Sequence, residues 1–261
     1  MSLCVIVGLP ASTSDITDSF RKMTLARNKN DHGSVACLIE YAETKEDAYR
    51  RECDALKLLE GVPGVVQLVK TRDDPDKNDQ RASRRSKYVL LTVRVPGSTL
   101  REFVREELRG GFGVLEAIKL VQHLIIIVNK VHSKDVFHQN IGPENIMINW
   151  DSKKSSIDEA ELTLINFSQV YIKSAKNSFA NQSTTQSWYQ APQANVQSLK
   201  YLSTIDVSSI CALLLWLLTD TDPKHTQNML PHQQENVIDK LNNKIAQAVR
   251  NTSMYSLSFS S

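Results

Sequence analysis

The chain becomes legible where its apolar positions begin to alternate. In Lys22-Met-Thr-Leu-Ala-Arg27 apolar and polar side chains take turns, and Val35-Ala-Cys-Leu-Ile39 is a short apolar run. Joined by the turn-rich Asn28-Lys-Asn-Asp-His-Gly33, the two predict paired strands. From Thr44 to Leu59 the period lengthens: Ala48, Ala55, Leu56 and Leu59 fall on one side of a predicted helix. Val65-Val-Gln-Leu-Val69 reads as a short buried strand. Residues 72–87 open with Asp73-Asp-Pro-Asp and close with Arg81-Ala-Ser-Arg-Arg-Ser-Lys87. They are too polar to join a core and predict an exposed mobile loop. Val114 to Val131 carries Ile118, Val121, Leu124, Ile125 and Val128 at helical spacing. Pro231 to Val249 repeats that pattern with Val237, Ile238, Leu241, Ile245 and Val249, and Ser253 to Ser261 reads as a frayed tail.

Composition narrows the class without naming it. At 261 residues, 41% hydrophobic and 23% charged, the chain can bury a substantial core in one or two lobes. A formal charge of +2 gives no reason to expect nucleic acid or an acidic membrane as the main partner. Cys4, Cys37, Cys53 and Cys211 stand far apart, without metal-type spacing, which favours reduced thiols in an intracellular protein. The expected location is cytoplasmic, with the nucleus left open. Sequons at Asn166, Asn181 and Asn251 would matter only behind a signal peptide, and Leu3-Cys-Val-Ile-Val7 reads instead as the start of a strand. The apolar run from Ile210 to Leu218 is too short to span a membrane.

One stretch carries candidate chemistry. In Phe137-His-Gln-Asn-Ile-Gly-Pro-Glu-Asn-Ile-Met-Ile148, the triplet His138-Gln139-Asn140 is followed five residues later by Asn145. It resembles the catalytic loop of protein kinases, HRD-x-x-x-x-N, with an amide at the central carboxylate. Other segments follow in the family's order. Arg51-Glu52-Cys-Asp-Ala-Leu56-Lys-Leu-Leu59 is similar to the second half of the helix that carries an ion-pairing glutamate. Tyr88-Val-Leu-Leu-Thr-Val-Arg-Val-Pro-Gly-Ser-Thr-Leu100 is similar to the fifth strand and hinge. Leu162-Thr-Leu-Ile-Asn166-Phe167-Ser168 resembles the strand leading into DFG, and Trp188-Tyr-Gln-Ala191-Pro192-Gln193 the end of the activation segment. Leu202 to Leu218 resembles the buried helix that follows. The resemblance implies an α+β, two-lobed kinase-like fold. A small antiparallel β lobe with one helix would occupy residues 1–93, including the insertion 72–87, and a mainly helical large lobe residues 94–261. The C-terminal helices would be abbreviated, or the sequence would stop short of a longer protein.

Set against the family's chemistry, the same residues show what has changed. In the family the HRD aspartate accepts the proton of the attacking hydroxyl and the later asparagine holds magnesium. Asn140 has no basic form to do the first; Asn145 is kept for the second. Asn166 replaces the DFG aspartate, offering a neutral oxygen to a hard cation that favours anionic ones. Leu38 stands at the strand lysine that pairs with phosphates, while its helical partner Glu52 remains. Gly142 stands at the lysine that contacts the transferred phosphate. The phosphate-cradling glycines are replaced by Ile16, Asp18 and Arg21. Gln193 replaces the glutamate that ends the activation segment. Leu56, His138 and Phe167 match a stack of side chains linking the lobes, Asp206 its anchoring carboxylate, and Met23, Ala36, Thr92, Val95 and Met147 the surroundings of adenine.

The resemblance therefore implies a pseudokinase: an inactive regulatory or scaffold module that binds another protein, such as an active kinase or signalling component. Neither ATP nor magnesium is expected to bind well, and Asn145 is the one residue left to hold a metal. Two alternatives stay open, an atypical serine/threonine kinase with weak transfer and a nucleotide-sensing domain. The insertion 72–87 and the helix around Glu52 are the expected contact surfaces.

Overall fold

The computed structural model describes residues 21–27, 35–72, 88–108, 111–175, 202–221 and 235–258. The glycine positions Ile16 and Asp18, most of the charged insertion and the segment Trp188–Gln193 lie outside them.

The first lobe is a twisted antiparallel sheet with one helix against it. Strands β1 (Arg21–Arg27), β2 (Val35–Tyr41), β3 (Leu68–Arg72) and β4 (Tyr88–Val93) lie in the order β1-β2-β4-β3. Pairing Met23 with Ile39, Cys37 with Thr92, Ile39 with Leu90 and Tyr41 with Tyr88 sets which face is inward. Ile39, Tyr41, Tyr88 and Leu90 are buried there, facing α1 (Glu46–Leu58), whose own buried side is Tyr49, Glu52, Cys53, Ala55 and Leu56. A single 3₁₀ turn, Glu43–Lys45, starts the helix two residues later than periodicity suggests. Val65 does not join the first sheet: it bridges to Leu164 of the other lobe, and the third strand begins only at Leu68. Gly64 turns there with φ +81° against Ile127, so the link between lobes is tight.

Beyond Val93 the chain crosses at Pro96-Gly97. A Cβ on Gly97, at φ +88°, would stand 2.0 Å from the carbonyl oxygen of Ile148, so this close passage requires glycine. Short β5 (Ser98–Thr99) then pairs with β7 (Ile146–Asn149), which pairs with β8 (Glu161–Leu164); β6 (Val136–Phe137) pairs with β9 (Tyr171–Ile172). Helix α2 (Leu100–Glu107) starts on a capping box in which the Thr99 hydroxyl accepts from Glu102 N–H and the Glu102 carboxylate accepts in return from Thr99. Helix α3 (Val114–His132) buries Leu120, Leu124, Val128 and Val131 on one stripe.

Helix α4 (Leu202–Thr219) differs from the reading of a run too short for a membrane: its 18 residues, mean hydropathy 1.8, pass that test by length and composition. It packs between α3 and α5 (Glu235–Ser258) and carries the fully buried Asp206, so it serves as a core helix of the large lobe. The expected frayed tail is helical as far as Ser258. Together these elements form the two-lobed α+β fold that the sequence resembles.

Candidate functional site

One carboxylate fixes the loop that follows α3. Asp206 Oδ2 accepts the His138 N–H at 2.8 Å and lies 2.8 Å from His132 Nε2, while Oδ1 accepts the Gln139 N–H at 2.7 Å. Those bonds hold Gln139 at φ 62°, a left-handed conformation that few non-glycine residues adopt unless their surroundings demand it. The Gln139 side chain also donates to the Leu202 carbonyl at 3.0 Å.

The His138 imidazole is fully buried. Its Nε2–H donates to the Ile165 carbonyl at 3.1 Å and its Nδ1 accepts the Asn140 N–H at 3.3 Å, a pairing assigned from the network that requires the neutral ring. Burial pushes its pKa below the ordinary 6.5, against upward pulls from Asp206 and the Ile165 carbonyl. The ring meets Phe167 edge to face, with centroids 4.7 Å apart. Phe167 and Leu56 are buried in the same core, where α1 packs on the 3₁₀ turn Phe167–Gln169.

Where metal ligands would stand, the side chains hydrogen-bond one another. Asn145 Nδ2 donates to the Asn140 carbonyl at 2.9 Å, which leaves Asn145 Oδ1 as an acceptor. Asn166 Nδ2 fills that acceptor at 2.9 Å, and Ser168 Oγ donates to Asn166 Oδ1 at 2.8 Å. Asn166 sits at φ 66°, the left-handed region that asparagine tolerates better than most residues. Asn140 and Asn145 are both buried. Two neutral amide oxygens, each already accepting a hydrogen bond, bring no anionic ligand to magnesium, which favours anionic oxygens in octahedral array. Among the described residues there is no cluster of three His, Cys, Asp or Glu side chains that could hold a metal instead.

Glu52 joins the lobes. Its Oε1 accepts the Phe167 N–H at 3.1 Å, and its Oε2 accepts the Tyr41 hydroxyl. Beside it Arg51 Nε donates to the Ser168 carbonyl at 3.1 Å, its pKa lowered by burial and raised in part by Asp47.

Two of the residues singled out in the sequence lie on the outer face of their strand. Leu38 pairs with Leu91 and Ala36 with Val93, on the face of β2 turned away from α1. Side chains alternate along a strand, so a slip of one residue transfers every assignment to the other face. The positions facing α1 and the core are Cys37 and Ile39, the latter buried, and neither is a cation. Met23 and Thr92 do share that inward face, beside Ile39 and Cys37. Val95 packs on the core after β4, and Met147 lies on the side of β7 opposite buried Ile146 and Ile148.

Tyr41, Arg51 and Ser168 were not singled out from the sequence. A polar-tipped ring at the end of an apolar strand face, opposite a helix bearing a carboxylate, is the signal that could have found Tyr41.

The comparisons agree with this architecture. The protein kinase domain family model matches residues 19–259. The chain is 24% identical over 216 residues to calcium/calmodulin-dependent protein kinase type 1 of Macrobrachium nipponense, covering 81% of this chain and 56% of that one. It is 30% identical over 183 residues to calcium-dependent protein kinase 11 of Arabidopsis thaliana, covering 69% of this chain and 32% of the relative. The chain thus spans about half or less of the length of these curated relatives. A crystal structure of Rad53 1-466 in complex with AMP-PNP superposes with a TM-score of 0.63 at 19% identity, over 92% of this chain and 56% of that one. By fold, by ordered motifs and by a family match across nearly its whole length, the chain belongs to the protein kinase domain family.

Proposed function

We propose that the chain is a pseudokinase, a kinase-fold module that binds a protein partner and does not transfer phosphate. The observation that carries this reading is the chain of hydrogen bonds from Asn140 through Asn145 and Asn166 to Ser168. Phosphoryl transfer depends on positioning and charge neutralisation, and here the base and the metal carboxylate are both amides. Neutral amides that satisfy one another keep a site ordered; they do not deprotonate a hydroxyl or hold a metal–phosphate pair. Ile39 facing α1 supports the same reading, because an aliphatic side chain at that place offers nothing to a phosphate. The partner we expect is another protein of a signalling complex, such as an active kinase.

A second reading, weak serine/threonine transfer, is favoured by Glu52 and Asn145, both held against the Asn166–Phe167 turn. Incorporation of labelled γ-phosphate from magnesium-ATP into a generic basic protein separates the two. Equal background from the native chain and from an Asn145→Ala/Glu52→Gln variant is expected. A rate that the double variant abolishes would overturn the pseudokinase reading, as would a magnesium-dependent rise in Tm with ATP.

A further inference from the structure

We infer that Tyr41 is a positioning residue: through Glu52 it holds α1 and the Asn166–Phe167 turn in one arrangement that the chain itself specifies. The inference deepens the reading above and takes its functional meaning from it.

Glu52 is 1% exposed and Tyr41 2%, so neither side chain leans on water for its hydrogen bonds. A carboxylate at that depth needs donors for both oxygens, and the two found here come from opposite directions. Tyr41 reaches Oε2 from the sheet of the small lobe, and the Phe167 N–H reaches Oε1 from the large lobe. One side chain on α1 therefore ties the preceding strand to a turn 115 residues further along the chain. The tyrosine ring is itself fixed: Tyr41 meets Tyr49 edge-on with centroids 5.8 Å apart, and Tyr49 lies 5.2 Å from Tyr88. Tyr88 in turn donates to Glu46 Oε2 at 2.5 Å, near the start of the same helix. Two sheet hydroxyls thus fasten α1 at Glu46 and Glu52, roughly 9 Å apart along its axis. On the other side Arg51 Nε binds the Ser168 carbonyl. All four donors, two phenols, a backbone amide and a guanidinium, belong to the chain. The docked position of the helix is accordingly written into it without nucleotide or metal.

Amide exchange at Phe167 reads this contact directly, because that N–H is the donor to Glu52. Tyr41→Phe removes the hydroxyl and keeps the ring. In that variant the Phe167 amide should exchange roughly tenfold faster, as expected for loosening a buried hydrogen bond. Tyr88→Phe, which removes the neighbouring hydroxyl at Glu46, should leave the Phe167 rate within about twofold of native and accelerate only amides near the start of α1. An unchanged Phe167 rate in Tyr41→Phe would overturn the inference, and so would equal acceleration in both variants, since that would mark general loosening. Should Tyr41→Phe fail to fold, Glu52→Gln is read the same way, and an unaltered Phe167 rate there is equally fatal. Adding magnesium-ATP to the native chain should not slow exchange at Phe167; slowing would show that a ligand, not the chain, completes the arrangement. Phosphate transfer in the assay above would defeat the pseudokinase reading alone and leave these exchange rates, and Tyr41's place in them, standing.

Discussion

Restoring the family's carboxylate at position 166 should weaken this protein. In Asn166→Asp the side chain keeps its size but loses the Nδ2–H that donates to Asn145 Oδ1 at 2.9 Å. Two acceptor oxygens would then face each other at that distance. Asn145 cannot turn its amide round to help, because its Nδ2 already serves the buried Asn140 carbonyl at 2.9 Å. A buried acceptor left without its donor costs about 1–3 kcal/mol, and a carboxylate set against it adds to the cost. Partial exposure of residue 166 points to the lower half of that range. For a domain of this size the loss corresponds to a fall in Tm of roughly 2–8 °C. Thermal unfolding followed by circular dichroism, with and without millimolar magnesium, measures it. A higher Tm than native, or recovery of the loss on adding magnesium, would refute the reasoning, because it would mean that position 166 is built to hold a cation.

Three further outcomes follow from the packed site. Phe167→Ala, at a fully buried position against His138, should lower stability by about 3–5 kcal/mol in urea unfolding; a loss under about 1 kcal/mol would deny the ring its place between the lobes. Asp206→Asn keeps the volume but can accept from only one side, leaving either the His138 or the Gln139 N–H unmet, and should cost about 2–4 kcal/mol by the same measurement, with His132→Phe costing less. Because burial lowers the pKa of His138, the unfolded chain takes up the proton first as pH falls through 6.5, so stability is full above that pH and declines below it. The slope of unfolding free energy between about pH 7 and pH 5.5 should therefore flatten in His138→Gln, and an unchanged slope would exclude this histidine as its source.

Long-range order was legible in the sequence where a period or a motif carried it. The helices at Glu46–Leu58 and Val114–His132 show apolar side chains at helical spacing, although Ile118 and Ile125 of the second pattern are exposed, and Asp206 is marked by its resemblance to the family's anchoring carboxylate. Helix α2 leaves no periodic signal, although Thr99 and Glu102 spell a capping box, because its eight residues are too few for periodicity to register. Periodicity puts the strand at Leu68 three residues early because Val65 and Val66 are apolar for a different reason, the bridge to Leu164. The face of Leu38 could not be read from an apolar run, in which inward and outward positions look alike. Only the pairing of Cys37 with Thr92 and of Leu38 with Leu91 decides it.

The substitutions in the site make physical sense as a set more than singly. An aspartate at 140 or 166 alone would add a charge beside neutral acceptors, and a desolvated charge is costly without a counter-ion. Ile39 lies on a buried face whose one carboxylate, Glu52, is already met by the Tyr41 hydroxyl and the Phe167 amide. The Asn145 amide donates to the Asn140 carbonyl and accepts from the Asn166 amide, and the carboxylate kept at Glu52 is met by a phenol and a backbone amide. On the proposed reading, contacts made by groups of the chain itself would order the site without a ligand. A partner that recognises the arrangement of the lobes would then find it already formed, and its association would depend on Tyr41, Glu52 and Phe167 more than on nucleotide concentration. Binding of that kind follows population, not turnover: a state set internally shifts only with an interaction that prefers it.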